Sequence, residues 1–139
     1  MSNKHYWDYK TNKHLDMRYT IDKHERYVVI EPLREILDGV AANYLKGEFM
    51  LRNTAGQRNI VLDLNMVKEI TEEGVRMGLL AHRLCSALGG DFILINVHPQ
   101  VFQTLQILHL DQHFTILKNL IDAEDMIFGN ELQRDLIGG

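Results

Sequence analysis

One cysteine among 139 residues cannot form a disulfide within the chain, so the fold has to rest on its apolar core. That residue, Cys85, falls on the apolar side of a helical pattern, where a thiol acts as a small core hydrophobe rather than a reactive group. Long apolar runs are also missing. Nothing approaches the roughly 18 residues of a membrane-spanning helix. The opening Met1-Ser2-Asn3-Lys4-His5 lacks the apolar segment of a signal peptide, so a cytoplasmic location without membrane insertion is expected. There is no basic excess: the formal net charge is −4, which leaves no electrostatic footprint for nucleic acid. Catalytic signatures are equally scarce, with no phosphate-binding glycine loop, no nucleophile elbow and no Cys-His pair in a catalytic context. Asp63 lies in a strand pattern with no pocket to serve. Of the seven histidines, His109 and His113 would share a face only on one continuous helix. Leu110-Asp111 reads as a turn between them, and no third ligand has a suitable spacing. The chain therefore reads as a non-enzyme without metal or cofactor.

A 45% hydrophobic and 24% charged composition in a chain of this length implies one soluble domain with tails. Residues 1–16 form a polar extension containing Tyr6, Trp7 and Tyr9. These aromatics suit either a contact with a neighbouring subunit or packing back on the same domain. Residues 17–128 carry the domain. Met17 to Asp22 and Tyr27 to Ile30 read as two strands joined by a polar hairpin connection. Apolar residues from Arg34 to about Leu51 recur at helical spacing, and Asn53-Thr54-Ala55-Gly56 supplies a stop. Strand Ile60 to Leu64, helix Val75 to Leu88, the Gly89-Gly90 stop and strand Phe92 to Val97 form a β-α-β unit, which implies parallel neighbouring strands. Pro99 suits the first turn of a helix through Leu108. Phe114 to Leu117 is a short last strand, and Asp122 can cap a helix to about Phe128. Residues 129–139 read as a fraying tail. The fold class is α/β: a small mixed sheet of about five strands with helices packed on it.

The junction between Asn59-Ile60-Val61-Leu62-Asp63-Leu64 and Ile70-Thr71-Glu72-Glu73-Gly74-Val75 joins a buried strand to a helix whose first turn is acidic. A helix start exposes free N–H groups and the positive end of the dipole, so its occupants are presented outward. Glu72 and Glu73 complement that dipole, and Thr71 is a good N-cap. Gly74 occupies the position where a capping-box glutamate would stand. These residues, with the Gly89-Gly90 turn, the strand Phe92-Ile93-Leu94-Ile95-Asn96-Val97 and the later Leu108-His109-Leu110-Asp111-Gln112-His113-Phe114, resemble a STAS domain of the anti-sigma factor antagonist family, over roughly positions 17 to 128. In that family the turn usually reads Asp-Ser-Ser-Gly, and a partner kinase phosphorylates the first serine. Aligned on Gly74, the resemblance puts Thr71 at the Asp, Glu72 at the phosphorylated serine and Glu73 at the second serine. A carboxylate forms no stable phosphate ester and only partly imitates a phosphoserine of about −1.5 to −2 charge, so phosphorylation switching looks lost.

On a helical wheel, Met77, Gly78, Ala81, Leu84, Cys85 and Leu88 face the sheet, whereas Val75 and Leu79 fall among Arg76, His82, Arg83 and Ser86. An exposed apolar pair rimmed by cations beside an acidic turn suits protein docking. The resemblance implies contact through this turn and helix start, with Asp38 opposite a family Asp near the binding surface; by itself, Asp38 also reads as a helix N-cap. The expected partner-binding set is Asp38, Thr71, Glu72, Glu73, Gly74, Val75, Arg76 and Leu79. The expected partner is an anti-sigma factor or serine kinase of the switch-protein type, and a homo-oligomer is possible. A scaffolding or accessory STAS subunit of a stressosome-like or lipid-transporter assembly is the alternative.

Overall fold

The computed structural model describes residues 3–8 and 18–137. Six strands form one sheet in the order β1-β2-β3-β5-β7-β8. They are β1 (Asn3–Asp8), β2 (Arg18–Lys23), β3 (Val28–Pro32), β5 (Ile60–Asp63), β7 (Phe92–Ile95) and β8 (Thr115–Leu117). The first three pair antiparallel and the rest parallel. Of the polar extension, the backbone of Asn3–Asp8 thus adds an edge strand to the sheet; Tyr9 lies outside the described residues.

Parallel strands covered on both faces should be uniformly apolar, and β7, Phe-Ile-Leu-Ile, is buried at every position. On one face lie α1 (Gly39–Thr54), α2 (Glu72–Ala87) and α3 (Pro99–Ile107), which close the main core with Tyr19, Ile21, Leu45, Phe49, Leu62 and Leu94. The other face carries α4 (Leu120–Leu136), whose Ala123 and Ile127 pack on Tyr27, Val29, Val61, Ile93 and Ile95.

The helix starting near Asp122 does not fade at Phe128. Asn119 is its N-cap, and it continues through Gly129 to Leu136 because side chains beyond the glycine are anchored. Glu131 accepts hydrogen bonds from Arg58 and Asn59, while Arg134 donates to Glu131 and Asp91. Asn59 is fully buried with its amide satisfied: it donates to the Arg26 carbonyl at 2.9 Å and to Glu131 at 3.2 Å, and accepts from the Asp91 N–H at 2.8 Å. A buried amide without such partners would cost about 1–3 kcal/mol.

Two short strands escape the sequence reading. β4 (Ile36–Leu37) and β6 (Glu69–Ile70) pair in parallel as a separate two-stranded sheet. The first helix consequently begins at Gly39 rather than Arg34. Residues 36 and 37 are taken up by the small sheet, and Asp38 is the cap.

Candidate functional site

The small sheet sets the geometry of the site. The Thr71 N–H donates to the Leu37 carbonyl at 3.0 Å, and the Lys68 and Glu69 N–H groups donate to the Glu35 carbonyl at 2.7 and 3.1 Å. The segments leading into α1 and α2 are thereby sewn together, and the two helices start side by side. Asp38 caps α1 by accepting from the Ala41 N–H at 3.1 Å and is also held by Arg34 at 3.1 Å. Thr71 caps α2 by accepting from the Gly74 N–H at 3.4 Å, while its hydroxyl lies 3.4 Å from the Leu37 carbonyl.

Gly74 makes this close approach possible. A Cβ at that position would lie 2.3 Å from the Leu37 carbonyl oxygen and 2.8 Å from Ile70 Cγ1, so any side chain would push the start of α2 off the small sheet.

Between the two helix starts lies an open cleft of about 670 Å³, whose lining includes Asp38, Lys46, Glu73, Arg76 and Met77. Glu73 has its carboxyl held below the usual carboxylate range, first by a hydrogen bond from its own backbone N–H and then by the Thr71 hydroxyl. Glu72 stands outside the cleft in solvent, paired with Arg76 at 2.5 Å, one helical turn on. Of the sequence-expected set, Asp38, Thr71, Glu72, Glu73 and Arg76 therefore converge on one surface where two helix starts meet, with Gly74 buried beneath them.

The apolar pair does not. Val75 is only 3% exposed and belongs to the main core, and Leu79 is half-buried against that core. Leu88, expected to be buried, is exposed at the C-cap. A helical wheel assumes one packing partner, whereas α2 has the sheet on one side, α1 along another and the small sheet under its first turn. The buried arc widens at the N-terminal end and takes in Val75. What the sequence reading missed is the lining contributed by α1, including Asn43 and Lys46, which appears only once the helices are placed side by side.

Away from this surface, His109 and His113 lie beyond the end of α3, and His109 has φ of 58°. The His113 ring instead packs 4.7 Å from that of His82 on α2. Burial, and then the proximity of His113, lower the His82 pKa. Burial also pushes the Cys85 thiol up to about 12, which leaves it protonated and unreactive at neutral pH. No three metal-ligating side chains converge among the described residues, and none of the described helices is long and apolar enough to cross a membrane.

The STAS domain family model matches residues 18–123. A Bordetella bronchiseptica protein, BtrV, named as a candidate anti-sigma factor antagonist, is 28% identical over 91 residues, covering 66% of this chain and 78% of its own. Among solved structures, a candidate anti-sigma factor antagonist from Thermotoga maritima superposes with a TM-score of 0.73 at 21% identity, over 78% of this chain and 93% of its own. A serine-to-glutamate variant of RsbS from Moorella thermoacetica superposes at 0.65 with 28% identity, over 78% and 93% of the two chains.

Proposed function

Because the chain belongs to the STAS domain family, we propose that it is a regulator of the anti-sigma factor antagonist type that acts by binding a protein partner and has lost phosphorylation switching. The docking surface is the paired helix start: Asp38, Thr71, Glu72, Glu73 and Arg76 around the cleft, with Gly74 setting the backbone beneath them. Binding is its activity, and no step of chemistry is required of any of these residues.

The observation that carries the reading is the exposed Glu72–Arg76 pair at the first turn of α2. Aligned on Gly74, Glu72 stands where the family places its phosphoacceptor serine, and it has no hydroxyl to modify. Its single charge is already smaller than that of a phosphoserine, and Arg76 offsets it locally. With Glu73 beside the pair, the turn carries about one net negative charge, nearer an unphosphorylated surface than one bearing a phosphoserine. A partner that releases its antagonist on phosphorylation would hold this chain permanently. The ion pair itself adds only about 0–1 kcal/mol to stability, as exposed pairs do, so its importance lies in the charge it presents.

The test first captures partners on the tagged chain, then incubates the wild type and Glu72→Ser with radiolabelled ATP and any kinase-type anti-sigma factor so recovered. Label should enter only Glu72→Ser, which then leaves the kinase while wild type stays bound. Equal labelling of wild type, at Thr71 or Glu72, contradicts the lost switch. Co-purification of a transporter ATPase, or of the chain with itself alone, would favour the scaffolding role instead.

A further inference from the structure

The face of α4 turned away from the sheet carries apolar side chains that none of the described residues buries. Ala123, Ile127 and Glu131 point into the molecule, whereas Ile121 is 67% exposed, Leu132 61% and Leu136 78%, with Phe128 also open to solvent. Positions 121, 128, 132 and 136, with Asp125 between the first two, step by four and three residues and form one seam along the helix. A soluble helix usually places charges on such a face, and a continuous exposed apolar stripe marks an interaction site.

Charge selects the occupant. Asp122, Asp125 and Asp135 flank or interrupt the seam, all exposed. The one cation on α4, Arg134, is spent on Asp91 and Glu131. From neighbouring elements Arg58 is likewise taken by Glu131, and Arg26 lies 3.9 Å from Asp135 and lines a shallow hollow with Phe128 and Leu132. Two copies joined through this seam would bring their aspartates together, and like charges facing one another across an interface are unfavourable. An anionic lipid surface meets the same objection.

We infer that the outer seam of α4 is a second docking site that takes an amphipathic helix of a protein partner, with its apolar stripe flanked by lysine or arginine. The site lies on the opposite face of the sheet from the cleft between α1 and α2, so one chain can hold two partners at once.

The probe is a synthetic helical peptide with leucine at seam positions and lysine at the flanks, beside its counterpart with glutamate at the flanks, each titrated into the protein by fluorescence anisotropy. The lysine peptide should bind at least about tenfold more tightly than the glutamate peptide. The preference should reverse with the triple variant Asp122→Lys, Asp125→Lys, Asp135→Lys. Leu132→Asp should weaken the lysine peptide about tenfold or more while leaving the melting temperature unchanged. Equal binding of the two peptides, or of neither, overturns the proposal. So does dimerisation of the wild type that Leu132→Asp abolishes, which makes a second copy the occupant, or co-sedimentation with phosphatidylglycerol vesicles that Leu132→Asp abolishes. A large loss of thermal stability in Leu132→Asp overturns it as well, since the seam would then belong to the fold.

Discussion

Gly74→Ala separates two effects of one methyl group. In an ordinary helix the change stabilises, because alanine has the better propensity by about 0.8–1 kcal/mol. At position 74 the new Cβ would lie 2.3 Å from the Leu37 carbonyl oxygen, which belongs to the backbone and cannot rotate away. Overpacking of this kind costs about 1–3 kcal/mol. Moving α2 aside also strains the Thr71 N–H bond to the same carbonyl, a further loss of about 1 kcal/mol net. The balance is a destabilisation of about 1–3 kcal/mol, or a fall in Tm of roughly 4–10 °C for a chain of this size. Gly47 is the control: it is exposed on α1, and a Cβ there would meet nothing within 4 Å, so Gly47→Ala should raise Tm slightly. Calorimetric melting of the two variants beside wild type gives opposite signs if the contact exists. A Gly74→Ala protein melting at or above wild type would refute the close approach between α2 and the small sheet.

The carboxyl of Glu131 answers to pH. Burial raises its pKa, but hydrogen bonds from Arg58 and Arg134 outweigh that and hold it below the usual carboxylate range. A depressed folded-state pKa contributes stability that is fully present above the unfolded value of about 4.3 and lost as pH falls through the folded value. Denaturant midpoints followed from pH 7 to pH 3 should therefore drop, and Glu131→Gln should be less stable at pH 7 by about 1–3 kcal/mol with a flatter profile; an unchanged profile would rule Glu131 out as the titrating group. Leu79→Asp places a charge against the main core and should lower stability by about 1–2 kcal/mol by chemical denaturation, where a variant as stable as wild type would show Leu79 to be a surface residue.

The strands and helices were legible wherever a period could run. The apolar β5 and β7, the spacing within α2 and the Gly89-Gly90 stop are local signals that packing leaves intact. The small sheet was not legible, because two residues such as Ile36-Leu37 are too few to show alternation, and their partner lies more than thirty residues on. That omission moved the start of α1 and hid the support beneath α2. The wheel misplaced Val75 because burial there depends on Leu37 and Ile70, which no pattern within α2 can report. Gly129 misled in the opposite direction: glycine is a reasonable stop signal, but Glu131 and Arg134 meet Arg58 and Asp91, long-range anchors that override it. The convergence of Asp38 with Thr71 to Glu73 had no local signature, since it depends on tertiary pairing; only the resemblance pointed to it.

The Leu37 carbonyl serves as a shared fastening for two helices, and this bears on how such chains can diverge. One residue added or removed between Ile36 and Asp38 would shift which carbonyl meets Thr71 and carry both caps out of step. Length changes in descendants should therefore accumulate elsewhere, as in the solvent-facing bend after α1, while the stretch ahead of α1 keeps its length even as its side chains drift.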